Sequence, residues 1–390
     1  MRSIFIFCLC MIQILSTTLW SQTRPTSTVP LATQDRVRNP GWWPTKGEAL
    51  RTAYRGPAAC GECHSAKLAV QQETPMAHAA APAADASILR RHGSLSFESG
   101  TYRFEIANTE GGSGYTVRDG VSSVSQPLQW AFGNGEVGQT YVFKRDAKFY
   151  ESRVSFYPSL PGLDLTLGHH APAPHDLDGA PGRLMAAAET RLCFGCHTTA
   201  STTSGRFDET ALIPGVTCEA CHGPGAEHID AIKGKQRSIG LHAILNPASL
   251  NAVDSVDFCG ACHRTVWDVA LTNTVGVANV RFQPYRLEKS RCWGKGDARL
   301  TCMACHDPHQ PLVRQPEAYD NRCLRCHESN SSAGSQAGVG AGKDHRGKAC
   351  PVASTRCVAC HMAKYEIPGS HAQFTDHWIR VVRKDAPYPD

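Results

Sequence analysis

CFGCHTTASTTSGRFDETALIPGVTCEACH, residues 193 to 222, decides how the rest of the chain is read. It begins and ends on one pentad, Cys-x-x-Cys-His: Cys193, Cys196 and His197, then Cys218, Cys221 and His222. In an exported protein this pentad is the attachment signal for c-type haem. The two thiols form thioethers at the ring edge, and the next residue puts an imidazole under the iron. Five further copies follow the same rule: Cys60, Cys63 and His64; Cys259, Cys262 and His263; Cys302, Cys305 and His306; Cys323, Cys326 and His327; and Cys357, Cys360 and His361. The expectation is therefore seven covalent haem c groups, six of them crowded into the second half of the chain.

Two other chemistries use paired cysteines. Zinc needs Cys or His pairs that converge on one ion, and it gives no reason for His to follow every second Cys. Disulfides leave that His without a role. Seven repeats behind an export signal favour haem over both.

The chain has 390 residues and 18 Cys. Cys8 and Cys10 lie in an apolar run, Ile4 to Leu15, preceded by Arg2 and followed by Ser16-Thr17-Thr18-Leu19-Trp20-Ser21. Charge, apolar run and small-residue exit read as a secretory signal peptide over 1–21, cleaved after Ser21. The run is short for a membrane span, which needs about 20 residues, and no span is expected in the mature chain. The expected location is the periplasm or the outer cell surface, where c-type haem is attached. Outside the pentads this leaves Cys292 and Cys350, which an oxidising compartment would join as a disulfide. The formal net charge of +5 overstates the basicity, because each haem brings two propionates. No useful basic run is present, so nucleic acid is not an expected partner.

Residues 22–55, with Trp42 and Trp43, read as an extended arm. Residues 56–92 form a first haem segment, in which a helix runs on from the pentad to Pro75. Met76 and His78 follow, and both are suited to a distal iron position. Over 93–160 the pattern changes to alternation with turns at Ser99-Gly100 and Asp146-Ala147, the mark of a small antiparallel β insertion. Phe97, Tyr102, Phe104, Trp130, Phe132, Tyr141, Phe143, Phe149 and Phe156 are expected to form its core. Residues 158–182, rich in Pro, Gly and His, fit no regular element. From 161 to 390 the six remaining pentads alternate with short helices and turns, and 329–347 is a Ser/Gly-rich loop.

Eleven of the 18 histidines lie outside the pentads, enough for a second imidazole at each of seven irons. His228 follows His222 too closely to bend round the same ring, and is expected to reach a neighbouring haem. His309 stands in the same relation to His306. His169 lies in the irregular segment, and His371 and His377 follow the last pentad.

The phrases GVTCEACHGPGAEH, SRCW with LTCMACHDPH, CLRCH, and CVACHMAK with FTDHWI resemble the bacterial multihaem cytochromes c related to the cytochrome c-554 group. The resemblance covers roughly residues 56 to 383. It implies a multihaem cytochrome c fold, mainly short α-helices and loops packed around haems, with a small antiparallel β insertion. It implies axial ligation by His228, His309 and His377. Thr74-Pro75-Met76 matches a Ser/Thr-Pro-Met phrase of such proteins and favours Met76 over His78. Ammonia-forming nitrite reductases and hydroxylamine oxidoreductases are also similar. The former often carry Cys-x-x-Cys-Lys, whereas all seven pentads here end in His, and the latter hold eight haems. The expected function is electron transfer between periplasmic or membrane redox partners. The alternative is a multihaem reductase of a small nitrogen or sulfur oxyanion, with one five-coordinate haem.

Overall fold

Positions i, i+3 and i+4 share one face of an α-helix. A pentad in helical conformation therefore presents both sulfurs and its imidazole to one side. The computed structural model describes residues 49–169, 174–203, 205–294, 296–297, 299–327, 350–383 and 386–389. The signal peptide, the arm up to residue 48 with Trp42 and Trp43, His170, His345 and the Ser/Gly-rich loop lie outside the described residues. Every pentad falls on a helical turn: Pro57–Gln71, Ala187–His197, Cys218–His222, Ala252–His263, Cys302–Cys305, Asp320–His327 and Cys357–His361. Three of these are little more than the pentad itself. The first helix runs for 15 residues but breaks at His64, where φ is −116° and ψ is 39°. Among the described residues no helix is long and apolar enough to cross a membrane.

The alternating segment forms a nine-stranded antiparallel sheet. Its strands are β1 (Ala80–Pro82), β2 (Ser94–Ser99), β3 (Tyr102–Thr109), β4 (Gly112–Arg118), β5 (Ser123–Phe132), β6 (Gln139–Arg145), β7 (Lys148–Tyr157), β8 (Gly162–Leu165) and β9 (Gly182–Leu184). β2 to β8 are hydrogen-bonded in sequence order, with β1 on β5 and β9 on β7. β8 comes back against β2, so the sheet nearly closes on itself. This corrects the expectation of a mainly helical molecule with a small insertion. β8 also lies inside the stretch that reads as irregular, and β9 begins at its last residue. They are short, carry no alternation, and exist through backbone pairing to β7, as in Val154 with Leu165 and Glu151 with Arg183. Gly182 makes the second pairing possible: a Cβ there would stand 2.0 Å from the Glu151 carbonyl oxygen.

The expected aromatic core divides between two faces. Tyr102, Phe104, Tyr141, Phe143 and Phe156 are buried inside the curled sheet with Ile106, Tyr115, Val117 and Val154, and Phe97 packs on its edge. Trp130, Phe132 and Phe149 point the other way. A register shift at Leu128/Trp130 reverses the alternation of β5 and turns Trp130 and Phe132 outward, while Phe149 lies on the face of β7 opposite Tyr150, Val154 and Phe156. The three outward rings surround Phe194, the residue between Cys193 and Gly195, with ring centroids 5.4, 5.0 and 5.4 Å from it. Phe207 closes the cage at 4.6 Å. The sheet thus grips the second pentad directly.

The link from the second pentad to the third is equally fixed. Thr198–Thr199 pairs with Ile213–Pro214. The Thr199 hydroxyl donates to the Gly215 carbonyl at 2.9 Å and accepts from the Thr217 N–H at 2.9 Å. Gly215 has φ of +72°, and a Cβ there would lie 1.9 Å from the Ala77 carbonyl oxygen. Only glycine lets the turn after the first pentad and the approach to the third come so close.

Phe194 fills a closed aromatic cage, so truncating it leaves a cavity that the sheet cannot collapse. Phe194→Ala is expected to cost about 3–5 kcal/mol and to lower the midpoint of a thermal melt followed by far-UV circular dichroism. An unchanged midpoint would show that the cage carries no weight.

Candidate haem cavity

A cavity of ≈ 5200 Å³ runs through the helical part, several times the roughly 300–1,000 Å³ of an ordinary ligand site. The second to sixth pentads all line it with both their cysteines and their His, and Arg322 and Arg325 line it beside the sixth. Met76, His242, His309 and His377 line it too. The first pentad packs on the third, and the seventh on the sixth, as set out below.

The imidazoles are held in one tautomer. His197 Nδ1 lies 3.0 Å from the Ala79 carbonyl, His222 Nδ1 2.8 Å from Leu245 and His361 Nδ1 2.9 Å from Arg380. A carbonyl oxygen only accepts, so each Nδ1 carries the proton and each Nε2 keeps its lone pair. That is how an imidazole is oriented for a metal. Outside the pentads, His228 makes the same bond to Gly240 at 2.8 Å, His242 to Ser238 at 2.7 Å and His377 to Thr375 at 3.0 Å. Burial lowers the pKa of His197, His222 and His306, and pushes His377 down to about 4. These rings are neutral at pH 7, the form that binds metal.

Two imidazole pairs stand at a diagnostic spacing. The His222 and His309 rings have centroids 6.0 Å apart and lie within 15° of parallel. His306 and His377 have centroids 6.3 Å apart at 40°. An imidazole–metal–imidazole sandwich spans about 6 Å between centroids, two metal–nitrogen bonds of about 2 Å plus a ring radius of about 1 Å at each end. Each pair joins a pentad His to a His from a different part of the chain. Among the described residues no three His, Cys, Asp or Glu side chains converge as a zinc cluster would require. The donor set and the cavity therefore fit haem.

The pentads themselves meet in pairs through their first cysteines. Cys60 and Cys218 share a hydrogen bond that draws the Cys218 thiol down to about 7 and pushes Cys60 up. Cys259 and Cys302 share another, raising Cys259 and lowering Cys302. Burial pushes Cys323 up to about 12, and it too is hydrogen-bonded to Cys357. Cys196 meets the Ala261 carbonyl at 3.7 Å, which sets the second pentad beside the fourth.

Two carboxylates tie these pairs together, and neither stands out in the sequence. Glu219, inside the third pentad and 1% exposed, accepts from the Arg55, Gly56 and Gly225 N–H groups at 2.9, 2.8 and 2.7 Å. Asp320, at the head of the sixth pentad's helix, accepts from the Arg356 and Cys357 N–H groups at 2.7 and 2.9 Å. Each carboxylate satisfies the open N–H groups where another pentad's helix begins.

The remaining candidates are placed differently. Met76 lines the cavity, in a turn held by its carbonyl to the Val216 N–H at 2.9 Å. His64, His263 and His327 are exposed on their pentads, and His78 is exposed beyond Met76. His169 Nε2 lies 3.0 Å from Glu151 Oε2, and His371 Nε2 lies 2.8 Å from Asp164 Oδ2. Both partners belong to the sheet, so the Nε2 of each of these two histidines, expected as distal ligands, faces a carboxylate in this structure. Cys292 and Cys350 are exposed free thiols and not the expected disulfide. Burial raises the Cys292 thiol, and Cys326 of the sixth pentad adds to the shift.

Residues 171–223, which hold the second and third pentads, match the family model for cytochrome c554 and c-prime. Among solved structures the chain is similar to the outer cell wall cytochrome OcwA, at 15% identity and a TM-score of 0.47, over 85% of this chain and 80% of that one. No curated protein matches.

The two ring pairs carry a direct expectation for the haem-loaded protein. His309→Ala and His377→Ala should each turn one low-spin haem high-spin in the electron paramagnetic resonance spectrum of the oxidised form. His169→Ala and His371→Ala should leave every haem low-spin. A fully low-spin His309→Ala variant would remove the pairing of His309 with His222.

Proposed function

We propose that the chain is a multihaem c-type cytochrome of the cell envelope that passes electrons along seven covalently attached haems. The observation that carries this reading is the pair of imidazole couples at single-metal spacing, His222 with His309 and His306 with His377, in a cavity lined by five pentads. The match of residues 171–223 to the cytochrome c554 family model supports it.

The fourteen pentad cysteines would anchor the ring edges. His64, His197, His222, His263, His306, His327 and His361 would supply the proximal imidazoles, with His309 and His377 opposite two of them. His228, His242 and Met76 are the further distal donors that the geometry favours. When bound, each haem supplies a one-electron ferric/ferrous couple. The chain's own work is to fix His197, His222 and His361 by their Nδ1–H, to keep His197, His222, His306 and His377 neutral by burial, and to bring pentads together through Cys60 with Cys218, Cys259 with Cys302 and Cys323 with Cys357. Pairs of sites brought edge to edge suit electron hopping between neighbours. Export by residues 1–21 would deliver the chain to the periplasm or the outer surface, where its partners are periplasmic or membrane redox proteins.

One observation favours the second reading, reduction of a small oxyanion. Arg281 lines the cavity near His197, and among the described residues it faces the Phe374 ring at 5.3 Å and no carboxylate. A cation so placed suits an anion at that site.

A pyridine haemochrome assay should return seven haems per chain; another number refutes the array. Nitrite or cyanide added to the oxidised protein should leave its visible spectrum unchanged if every iron is six-coordinate. A spectral change abolished by Arg281→Met would transfer the case to the reductase.

A further inference from the structure

The chain's last described stretch holds a buried ionic hub beside a haem ligand. Asp376 is 0% exposed and precedes His377. Arg286, also 0% exposed, grips its carboxylate with two bonds, Nε to Oδ1 at 2.8 Å and Nη2 to Oδ2 at 2.9 Å. Arg380 adds a third, Nη1 to Oδ2 at 2.6 Å, and the Trp378 N–H a fourth at 3.0 Å. Trp378 and Tyr388 cover the Arg286 guanidinium at 5.0 and 4.6 Å. Ser290 closes the stretch from the other side, taking the Ile379 N–H at 2.8 Å. Two haem contacts leave this same stretch. His377 faces His306 of the fifth pentad. The Arg380 carbonyl accepts the His361 Nδ1–H of the seventh pentad at 2.9 Å, and the Arg380 N–H bonds back to the His361 carbonyl at 3.1 Å.

We infer that Asp376 is a positioning residue shared by two haem sites, setting the distal His377 of the fifth and the carbonyl that tunes the proximal His361 of the seventh. The inference rests on the haem reading of both pentads. A fork-shaped guanidinium on a carboxylate fixes orientation as well as position, and a buried pair cannot lose one partner without rearranging. Residues 377 and 380 lie one and four positions along from the clamped carboxylate. Neither can move while it is held. A donor bond from Nδ1 makes the imidazole a stronger base, which favours the ferric iron and lowers the midpoint potential.

The test compares three variants of the holoprotein: His377→Ala, Asp376→Asn and Arg380→Gln. Haem content by pyridine haemochrome is read first, so a wild-type chain without haem removes the underlying reading and is told apart from failure here. His377→Ala should turn one haem high-spin and leave the seventh site's midpoint in place. Asp376→Asn should produce that high-spin signal and also raise a second midpoint in a potentiometric titration. Arg380→Gln alters the partly exposed arm of the hub, so it should mature even where Asp376→Asn does not, and it should raise the seventh site's midpoint. A haem-loaded Asp376→Asn protein that melts earlier yet keeps wild-type spin states and midpoints would make the hub purely structural and overturn the inference. Behaviour identical to His377→Ala would overturn its two-site part, as would unchanged midpoints in Arg380→Gln.

Discussion

A carbonyl oxygen accepts hydrogen bonds and cannot donate one, and the helical part of this molecule depends on that constraint. Each imidazole tied through Nδ1 to a carbonyl must hold its proton there and its lone pair on Nε2. In the pentads the carbonyls come from far along the chain: Ala79 for His197, Leu245 for His222 and Arg380 for His361. None of these three pentads therefore orients its own ring. The turn after the first pentad orients the second, and the tail after the seventh turns back to orient the seventh. The array is a tertiary object, although its motifs are five residues long.

The two parts of the molecule are held by different forces. Inside the curled sheet, Phe104, Tyr115, Tyr141, Phe143 and Val154 are fully buried on one another, and apolar burial of that kind stabilises by about 1.5–3 kcal/mol for each large side chain. Around the cavity the corresponding cluster is Ala252, Val256, Leu287 and Trp293 with three neighbours. Side chains in a native interior pack without voids of this size. The proposed haems would occupy this space, and groups that bind the native state alone would stabilise the helical part. Phe194 joins the two regimes, with its backbone in a pentad and its ring in the sheet's outer aromatic cage.

What could be read from the sequence follows from the range of each signal. The pentads and the alternation of β3 and β4 are local patterns, and they are where the sequence puts them. β1, β8 and β9 have three or four residues and gain their identity from the strand they pair with, so no local pattern marks them. The division of the aromatics turns on one register shift in β5, at Leu128/Trp130, which moves Trp130 and Phe132 to the outer face, where Phe149 of β7 already stands by alternation. His169 and His371 looked available because their partners, Glu151 and Asp164, are distant in sequence and lie on the sheet. Glu219 reads as a solvent residue inside a pentad; two of its three N–H partners, those of Arg55 and Gly56, appear only when the first pentad's helix is set against it. The phrases mark His309 and His377 as candidates, while the ring that each faces, His222 and His306, is set by the fold.

The carboxylates Glu219 and Asp320 say how such an array can assemble. An isolated helix of four or five residues is unstable in water, because nucleation costs more than so few bonds return. The helices at Pro57 and at Cys357 also lack a side-chain cap of their own: Gly56 precedes the first, and Arg356, in the left-handed region at φ 56°, precedes the second. Their opening N–H groups are satisfied by a carboxylate that belongs to another pentad's helix. A cap of this kind contributes about 1 kcal/mol, but only once the two helices are together. The first pentad is thus stabilised in contact with the third, and the seventh in contact with the sixth. Those are the same partners whose first cysteines meet, Cys60 with Cys218 and Cys323 with Cys357. The contact that completes each of these two helices is also the one that sets the first cysteines of two pentads side by side, so these pentads are stabilised as pairs.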